Sequence, residues 1–261
     1  TVQGYDINPK VCEQRAAGVF PHGDDFGDLR IECPTHLSDD YDAVAICVPT
    51  PAPDKHDISM VQQAVKEHGW CGKTVIIRST MPVGGCRQLG CTTLLYVPEI
   101  RPVGKMVVEW PLSIIGGEDP LLFALAQPLV GDAFTFGLNL EQAEFAKLAI
   151  NAYLASSITI ANALQDAAAT LSVDYSMIER VLRQEPRIGK GAFVQAGLGF
   201  GGSCLPKDLR GLCSQIGGSL FNVFIDANDW RIEHTVNCIE KLLGGSLEDK
   251  RICVLGLTFK P

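Results

Sequence analysis

Four short apolar runs mark the first half of the chain, at residues 43–48, 74–80, 94–97 and 113–116. Each has the length of a strand. The first three run into Pro49, Met81-Pro82 and Pro98, and proline cannot donate to a central ladder. A stretch of helical periodicity lies between two of them, from Ser59 to His68. Buried strands alternating with helices predict a parallel sheet covered on both faces. Ligands of such sheets gather at the carboxyl ends of the strands. Thr50, Thr80 and Glu99 fall there, although a polar residue ending a strand is commonplace by itself. Residues 2–6 read as the end of a further strand, closed by the turn-forming Asn8-Pro9.

The second half changes period. From Leu140 to about Ser172 there is neither Pro nor Gly, and apolar positions recur at helical spacing on more than one face. Such a helix is buried on several sides, as at a domain or subunit junction. Lys147 and Asn151 stand four apart and share one face. Left unpaired in an apolar setting they would cost several kcal/mol. Either they face solvent, or they form an ammonium and amide pair aimed at developing negative charge. Asp174 caps a helix over 175–184. A further helix covers 230–243, and 250–261 reads as a new buried strand.

Composition narrows the partners. The chain has 261 residues with a net charge of -8, which argues against nucleic acid or an anionic membrane as the main partner. No apolar run reaches the ~20 residues that cross a bilayer, and no signal peptide is visible at Thr1. Ten cysteines are scattered without a CxxC pair. That usage fits a reducing cytosol better than a disulfide framework or a zinc site, so a cytoplasmic protein without a bound metal is expected. Asp6 fits the acidic position that receives the ribose hydroxyls in a dinucleotide-binding unit. The G-x-G-x-x-G fingerprint that should precede it is absent. The expectation is a chain that begins after the first strand and phosphate loop.

The densest chemistry lies at Gly199-Phe200-Gly201-Gly202-Ser203-Cys204-Leu205-Pro206-Lys207-Asp208. Glycine there lets a substrate approach the backbone. A free thiol ionises near pH ~8.5 and needs help to become a thiolate. Lys207, or a helix starting near Pro206, supplies it. Asp208 can hold or activate a water. The same residues also suit a Gly-rich turn with Cys204 as a small buried hydrophobe.

GFGGSCLPKD resembles the catalytic-cysteine segment of the UDP-glucose/GDP-mannose dehydrogenase family of nucleotide-sugar dehydrogenases. Further segments agree. CVPTP around Thr50 is similar to the family segment whose threonine contacts NAD, and STMPVG around Thr80 to one whose threonine lies near the reacting centre. Pro98-Glu99 resembles the start of PEFLREG, where the first glutamate is an acid/base candidate. The second family glutamate is Val103 here. EQAEFAKLAINAYLA resembles the central-helix pattern in which a lysine and an asparagine, here Lys147 and Asn151, flank the oxygen being oxidised. Arg187-Ile188-Gly189 looks like the segment whose arginine reaches the neighbouring subunit's substrate. Residues 193–197 look like the loop that closes over the nucleotide sugar, and 252–261 like the opening of the third, UDP-binding domain.

The resemblance implies a Rossmann-like NAD-binding domain over 1–137, incomplete at its N-terminus. An all-helical dimerisation domain over 138–245 and the start of a truncated α/β domain over 246–261 follow. It also implies NAD as cofactor and oxidation of a nucleotide sugar's C6 alcohol to a carboxylate through a Cys204 thiohemiacetal and thioester. Catalytic candidates are Cys204, Lys147, Asn151, Asp208, Glu99 and Thr80. Cofactor contacts fall on Asp6, Lys10, Thr50, Thr80, Ser203 and Lys207. Substrate contacts fall on Glu99, Lys147, Asn151, Arg187, Phe193, Gly197, Gly201 and Lys260. The sugar looks closest to the UDP-glucose branch, with GDP-mannose and UDP-N-acetyl sugars open. The expected partner is a second copy of the chain. A cysteine hydrolase needs a histidine beside the thiol, and none of the five histidines lies in a motif. A non-catalytic nucleotide-binding module is the third reading.

Overall fold

The computed structural model describes residues 4–6, 8–17, 41–52, 55–67, 73–100, 110–218 and 220–255. Five strands form one sheet in sequence order: β1 Ala43–Ile46, β2 Thr74–Ile77, β3 Thr93–Tyr96, β4 Leu112–Gly117 and β5 Phe134–Leu138. The first three are parallel, in the registers Ala43 to Thr74 and Thr74 to Thr93. β4 runs against β3, pairing Tyr96 with Gly116, and β5 runs parallel to β4. The sheet is therefore mixed, which corrects the expected all-parallel sheet. A parallel neighbour needs a crossover connection. Between β3 and β4 the described residues carry no helix.

The sheet is covered on both faces. On one, Ile46, Val75, Ile77, Tyr96 and Ile114 pack against Val61 and Val65 of α2 (Ser59–Glu67) and the first turn of α4 (Leu140–Thr170). On the other, Ile76, Leu95, Val97 and Ile115 meet Ala126 and Val130 of α3 (Phe123–Val130). Each such side chain contributes about 1.5–3 kcal/mol on full burial, so two filled faces hold even these short strands.

α4 is capped by Asn139, whose side chain accepts from Gln142 N–H while the Gln142 side chain accepts from Asn139 N–H. Its 31 residues span about 46 Å. The first turn of the helix leans on the sheet. The next turns bury Leu148, Ala152 and Ala155 in a second core with Phe200 and with Leu209 and Leu212 of α6 (Leu205–Ile216). α7 (Leu220–Leu242) closes that core with Phe221, Phe224 and Ile225. α5 (Tyr175–Gln184) starts at its Asp174 cap as predicted.

Other expectations are corrected. The last long helix begins at Leu220, ten residues before Trp230. α1 (Pro9–Ala16) and β5 were not foreseen. Residues 4–6 form no strand. Residues 251–255 form none either, and Ile252, Val254 and Leu255 are exposed; a strand needs a neighbour for its backbone groups, and none of the described strands pairs with them. Val103 and Lys260 lie outside the described residues.

Candidate active site

Residues three and four apart on a helix share a face, and on α4 that rule aligns Glu144, Lys147 and Asn151 along the side turned to the sheet edge and α6. All three are buried. The solvent-facing reading of Lys147 and Asn151 therefore falls away. α6 brings up Asp208, which is 1% exposed. Its Oδ2 accepts from Asn151 Nδ2 at 2.5 Å, and its Oδ1 from Lys207 Nζ at 2.5 Å and His56 Nε2 at 3.5 Å. Asp208 N–H donates to the Cys204 carbonyl at 2.9 Å, tying the carboxylate to the thiol's own backbone. Cys204 is the N-cap residue of α6 and is exposed. It is not sealed into an apolar interior.

The electrostatics follow from this packing. Burial pushes the Lys147 ammonium below the usual lysine range. The charges of Asp208 and Cys204 pull it back in part. Burial alone would raise Asp208, but the His56 hydrogen bond and the Lys207 and Lys147 ammonium groups outweigh it and hold the carboxyl below its ordinary value. The site is thus a charged hub of one buried carboxylate between two lysines, with a thiol at its open side.

The loops around the hub are held by side chains that clasp backbone. After β2, Ser79 Oγ donates to the Val48 carbonyl at 2.6 Å, linking the Thr50 loop to the Thr80 loop. Glu144 receives Gly84 N–H at 2.6 Å and Cys86 N–H at 2.7 Å, and Gln215 of α6 both accepts from and donates to Val83. The loop before the thiol is held in the same manner. Asn162 accepts from Gly197 N–H, Arg231 donates to the Gly197 carbonyl, and Asn228 accepts from Phe200 N–H and donates to its carbonyl. Gly199, at φ +112°, has no room for a Cβ because the Asn228 oxygen would stand 2.5 Å from it.

Other candidates are placed as follows. Thr50 is buried at the end of β1. Glu99, after β3, receives Arg78 Nη2 at 2.5 Å, and its charge acts on Lys147. It also walls a cleft with Arg78, Trp110 and Ser113, which none of Lys147, Asn151, Cys204 or Asp208 lines. Ser203 Oγ lies 3.7 Å from Cys204 Sγ. Gly201 has open space around it. Arg187 is exposed and paired to Glu185, and Phe193 is half exposed on a loop tied to α5 by Tyr175 and Arg183. Asp6 and Lys10 are exposed, with Asp6 closing a local turn through Asn8 N–H. The structure joins Lys147, Asn151, Lys207, Asp208 and Cys204. It leaves Asp6, Lys10, Arg187 and Phe193 out of the contacts named for that cluster.

Sequence reasoning missed His56, which no motif marked. Its imidazole meets Asp208 rather than the thiol. Among the described residues no histidine hydrogen-bonds Cys204, so the arrangement a cysteine hydrolase requires is not found there. No cluster of potential metal ligands occurs among the described residues, and none of their helices is long and apolar enough to cross a membrane.

Three comparisons bear on this geometry. Residues 141–225 match the central domain of the UDP-glucose/GDP-mannose dehydrogenase family. The chain is 30% identical to a UDP-glucose 6-dehydrogenase of Rickettsia typhi, across 84% of this chain and 56% of that protein. It is 34% identical to UDP-glucose 6-dehydrogenase AglM of Haloferax volcanii, across 85% and 60%. A UDP-glucose dehydrogenase structure from Pyrobaculum islandicum superposes with a TM-score of 0.82 at 26% identity, over 93% of this chain and 66% of that one. The chain spans little more than half the length of the curated relatives it matches.

Proposed function

The chain belongs to the UDP-glucose/GDP-mannose dehydrogenase family, and on that premise we propose that it carries the oxidising centre of an NAD-dependent nucleotide-sugar 6-dehydrogenase. UDP-glucose, oxidised to UDP-glucuronate, is the substrate we favour. The observation that carries the reading is the accessible Cys204 thiol at the mouth of a buried Lys147–Asn151–Asp208 cluster.

The cofactor's place is testable against the described residues. The parallel ends of β1, β2 and β3 present Thr50, Thr80 and Glu99 at one sheet edge, and these fit the nicotinamide end of NAD. Ser203 and Lys207 lie on the α6 side of the same site. We assign Asp6 and Lys10 to the adenosine end on the family resemblance alone. When bound, NAD supplies the hydride acceptor for each of the two oxidations.

The protein's share is as follows. Lys147 and Asn151 stabilise the alkoxide as the C6 alcohol loses its proton and then its hydride. The Cys204 thiolate adds to the resulting aldehyde, and a new C–S bond forms. The thiohemiacetal loses a second hydride and becomes a thioester. Water positioned by Asp208, Thr80 and Glu99 attacks the carbonyl, the C–S bond breaks, and the thiol is regenerated beside the carboxylate product. One alcohol, one water and two hydride acceptors give one acid. Arg187, Phe193, Gly197, Gly201 and Lys260 are assigned to the nucleotide sugar, with Arg187 serving a second copy of the chain in a homodimer through the helical region. Among the described residues no disulfide joins any two of the eight cysteines, which supports a reducing cytosol.

A screen of NADH formation with UDP-glucose, GDP-mannose and UDP-N-acetyl sugars tests the activity, and UDP-glucose is expected to lead. Cys204→Ala should lose acid formation. Full acid production by that variant removes the thiol from the scheme, and no NADH with any of the sugars removes the scheme itself.

A further inference from the structure

His56 is a buried histidine that the reaction above does not use. It precedes α2, on the segment after Thr50. Its side chain is 1% exposed and faces an Asp208 carboxyl that is 0% exposed. The imidazole lies against the helix backbone at Gly211, one turn beyond Asp208. A Cβ on Gly211 would stand 2.1 Å from two ring atoms, too close for both to stay.

Two costs are built into this contact. Glycine inside α6 weakens the helix relative to alanine. His56 Nδ1 is buried and has no hydrogen-bond partner among the described residues, an unfavourable state for a polar nitrogen. A smaller apolar side chain at 56 with an alanine at 211 would avoid both costs. What the histidine supplies that an apolar side chain cannot is Nε2, and Nε2 faces Asp208. The carboxylate can only accept, so Nε2 is the donor of this contact.

We propose that His56 is a positioning residue, seated against Gly211, that orients the Asp208 carboxylate and through it the Asn151 amide for the oxidation. This rests on the functional reading above. Asn151 gives one N–H to Asp208, which leaves the other for the reacting oxygen. Rotation of Asp208 would swing that amide. His56 also joins the two sides of the site, because its neighbour Asp57 both donates to the Pro51 carbonyl and accepts from Ser59 N–H at the start of α2. The Thr50 loop and the thiol helix are thereby held together at Asp208.

The groups facing Asp208 are Lys147 and Asn151 from α4, Lys207 from its own helix, Tyr96 from β3 and His56. Removing the imidazole takes away one interaction that favours the ionised carboxyl. The acid limb of kcat should then move to higher pH.

The test is three single variants and one double, His56→Ala with Gly211→Ala, in the full protein. His56→Ala is expected to lower kcat about a hundredfold with little change in KM, and to shift the acid limb. His56→Gln, which keeps a donor, should recover part of the rate. Gly211→Ala should displace the imidazole, lowering both kcat and the urea midpoint. The double variant should regain the urea midpoint, since the clash is gone and alanine suits a helix, yet keep the kcat of His56→Ala. A double variant with wild-type kcat makes the histidine mere packing and overturns the proposal. The stability coupling between 56 and 211 needs no substrate, and its absence overturns the proposal as well. A wild-type protein that reduces no NAD with any nucleotide sugar sinks the functional reading instead, and is seen before any variant is made.

Discussion

Glu144 and Asp208 are both shut away from solvent beside the same face of α4, at 0% and 1% exposure. Their partners differ in kind. Glu144 spends its oxygens on the backbone N–H groups of Gly84 and Cys86. Asp208 faces only side chains: an amide, an ammonium and an imidazole. Their acidities diverge accordingly. Burial pushes Glu144 above the usual carboxylate range despite its two backbone donors, whereas the groups around Asp208 overcome burial and hold it below. A buried acid satisfied by backbone fixes a loop and has nothing left to offer a ligand. A buried acid balanced by movable, titratable side chains sets the charge of everything it touches. Burial alone does not mark a functional residue; the chemistry of the neighbours does.

The largest expected effect comes from making Asp208 as inert as Glu144. Asp208→Asn keeps the shape and removes the charge that balances Lys147 and Lys207. We expect kcat to fall about 10²–10³-fold, the range seen when a preorganised electrostatic group is lost. Stability should also change with pH in a defined way. The folded acidity of Asp208 is depressed, so its contribution is present above the unfolded value of about 4 and is lost as pH falls through the lower folded value. The gap in unfolding free energy between wild type and variant should therefore be constant near neutrality and close at acid pH. A gap that widens on acidification would reverse the assignment.

The middle effect comes from Glu144→Gln. One oxygen remains for one backbone N–H, and the amide nitrogen is set against the other. The expected loss is about 1–3 kcal/mol of stability, the cost of a buried group left unsatisfied. The kcat loss should be well below that of Asp208→Asn. If urea unfolding shows no change while kcat collapses, Glu144 belongs with Asp208 and the contrast fails.

That contrast also shows what the chain's pattern could disclose. The apolar runs placed β1 to β4 because buried strands need continuous apolar side chains. β5 escaped because its Phe134 and Phe136 are exposed, so no buried run announces it. The reversed direction of β4 is encoded by no periodicity, since a short apolar run reads alike for either strand direction. Lys147 and Asn151 stood out by sharing a helix face, and Cys204 and Asp208 by sharing a Gly-rich segment, but spacing alone left a bland reading open for each, and the family resemblance supplied their expected roles. Glu144 shares that helix face and was passed over, since its partners are backbone atoms 58 and 60 positions away. His56 was illegible for the same physical reason: its contact with Asp208 spans 152 positions. Local pattern shows which side chains are costly to bury, and only the fold shows what compensates them.

The smallest effect tests whether exposure or partner type decides the outcome. Gln215 clasps the same loop as Glu144, one residue earlier, through two hydrogen bonds to Val83 at 3.0 and 3.1 Å. Like Glu144 it meets only backbone, but unlike Glu144 it is exposed. Water can replace both bonds when the side chain is removed, so the desolvation cost that penalises Glu144→Gln does not arise. Gln215→Ala should therefore cost at most about 1 kcal/mol, with kcat close to wild type, as read by urea unfolding and steady-state NADH formation. A loss as large as that of Glu144→Gln would mean that the clasp geometry, and not burial, holds the Thr80 loop against the site.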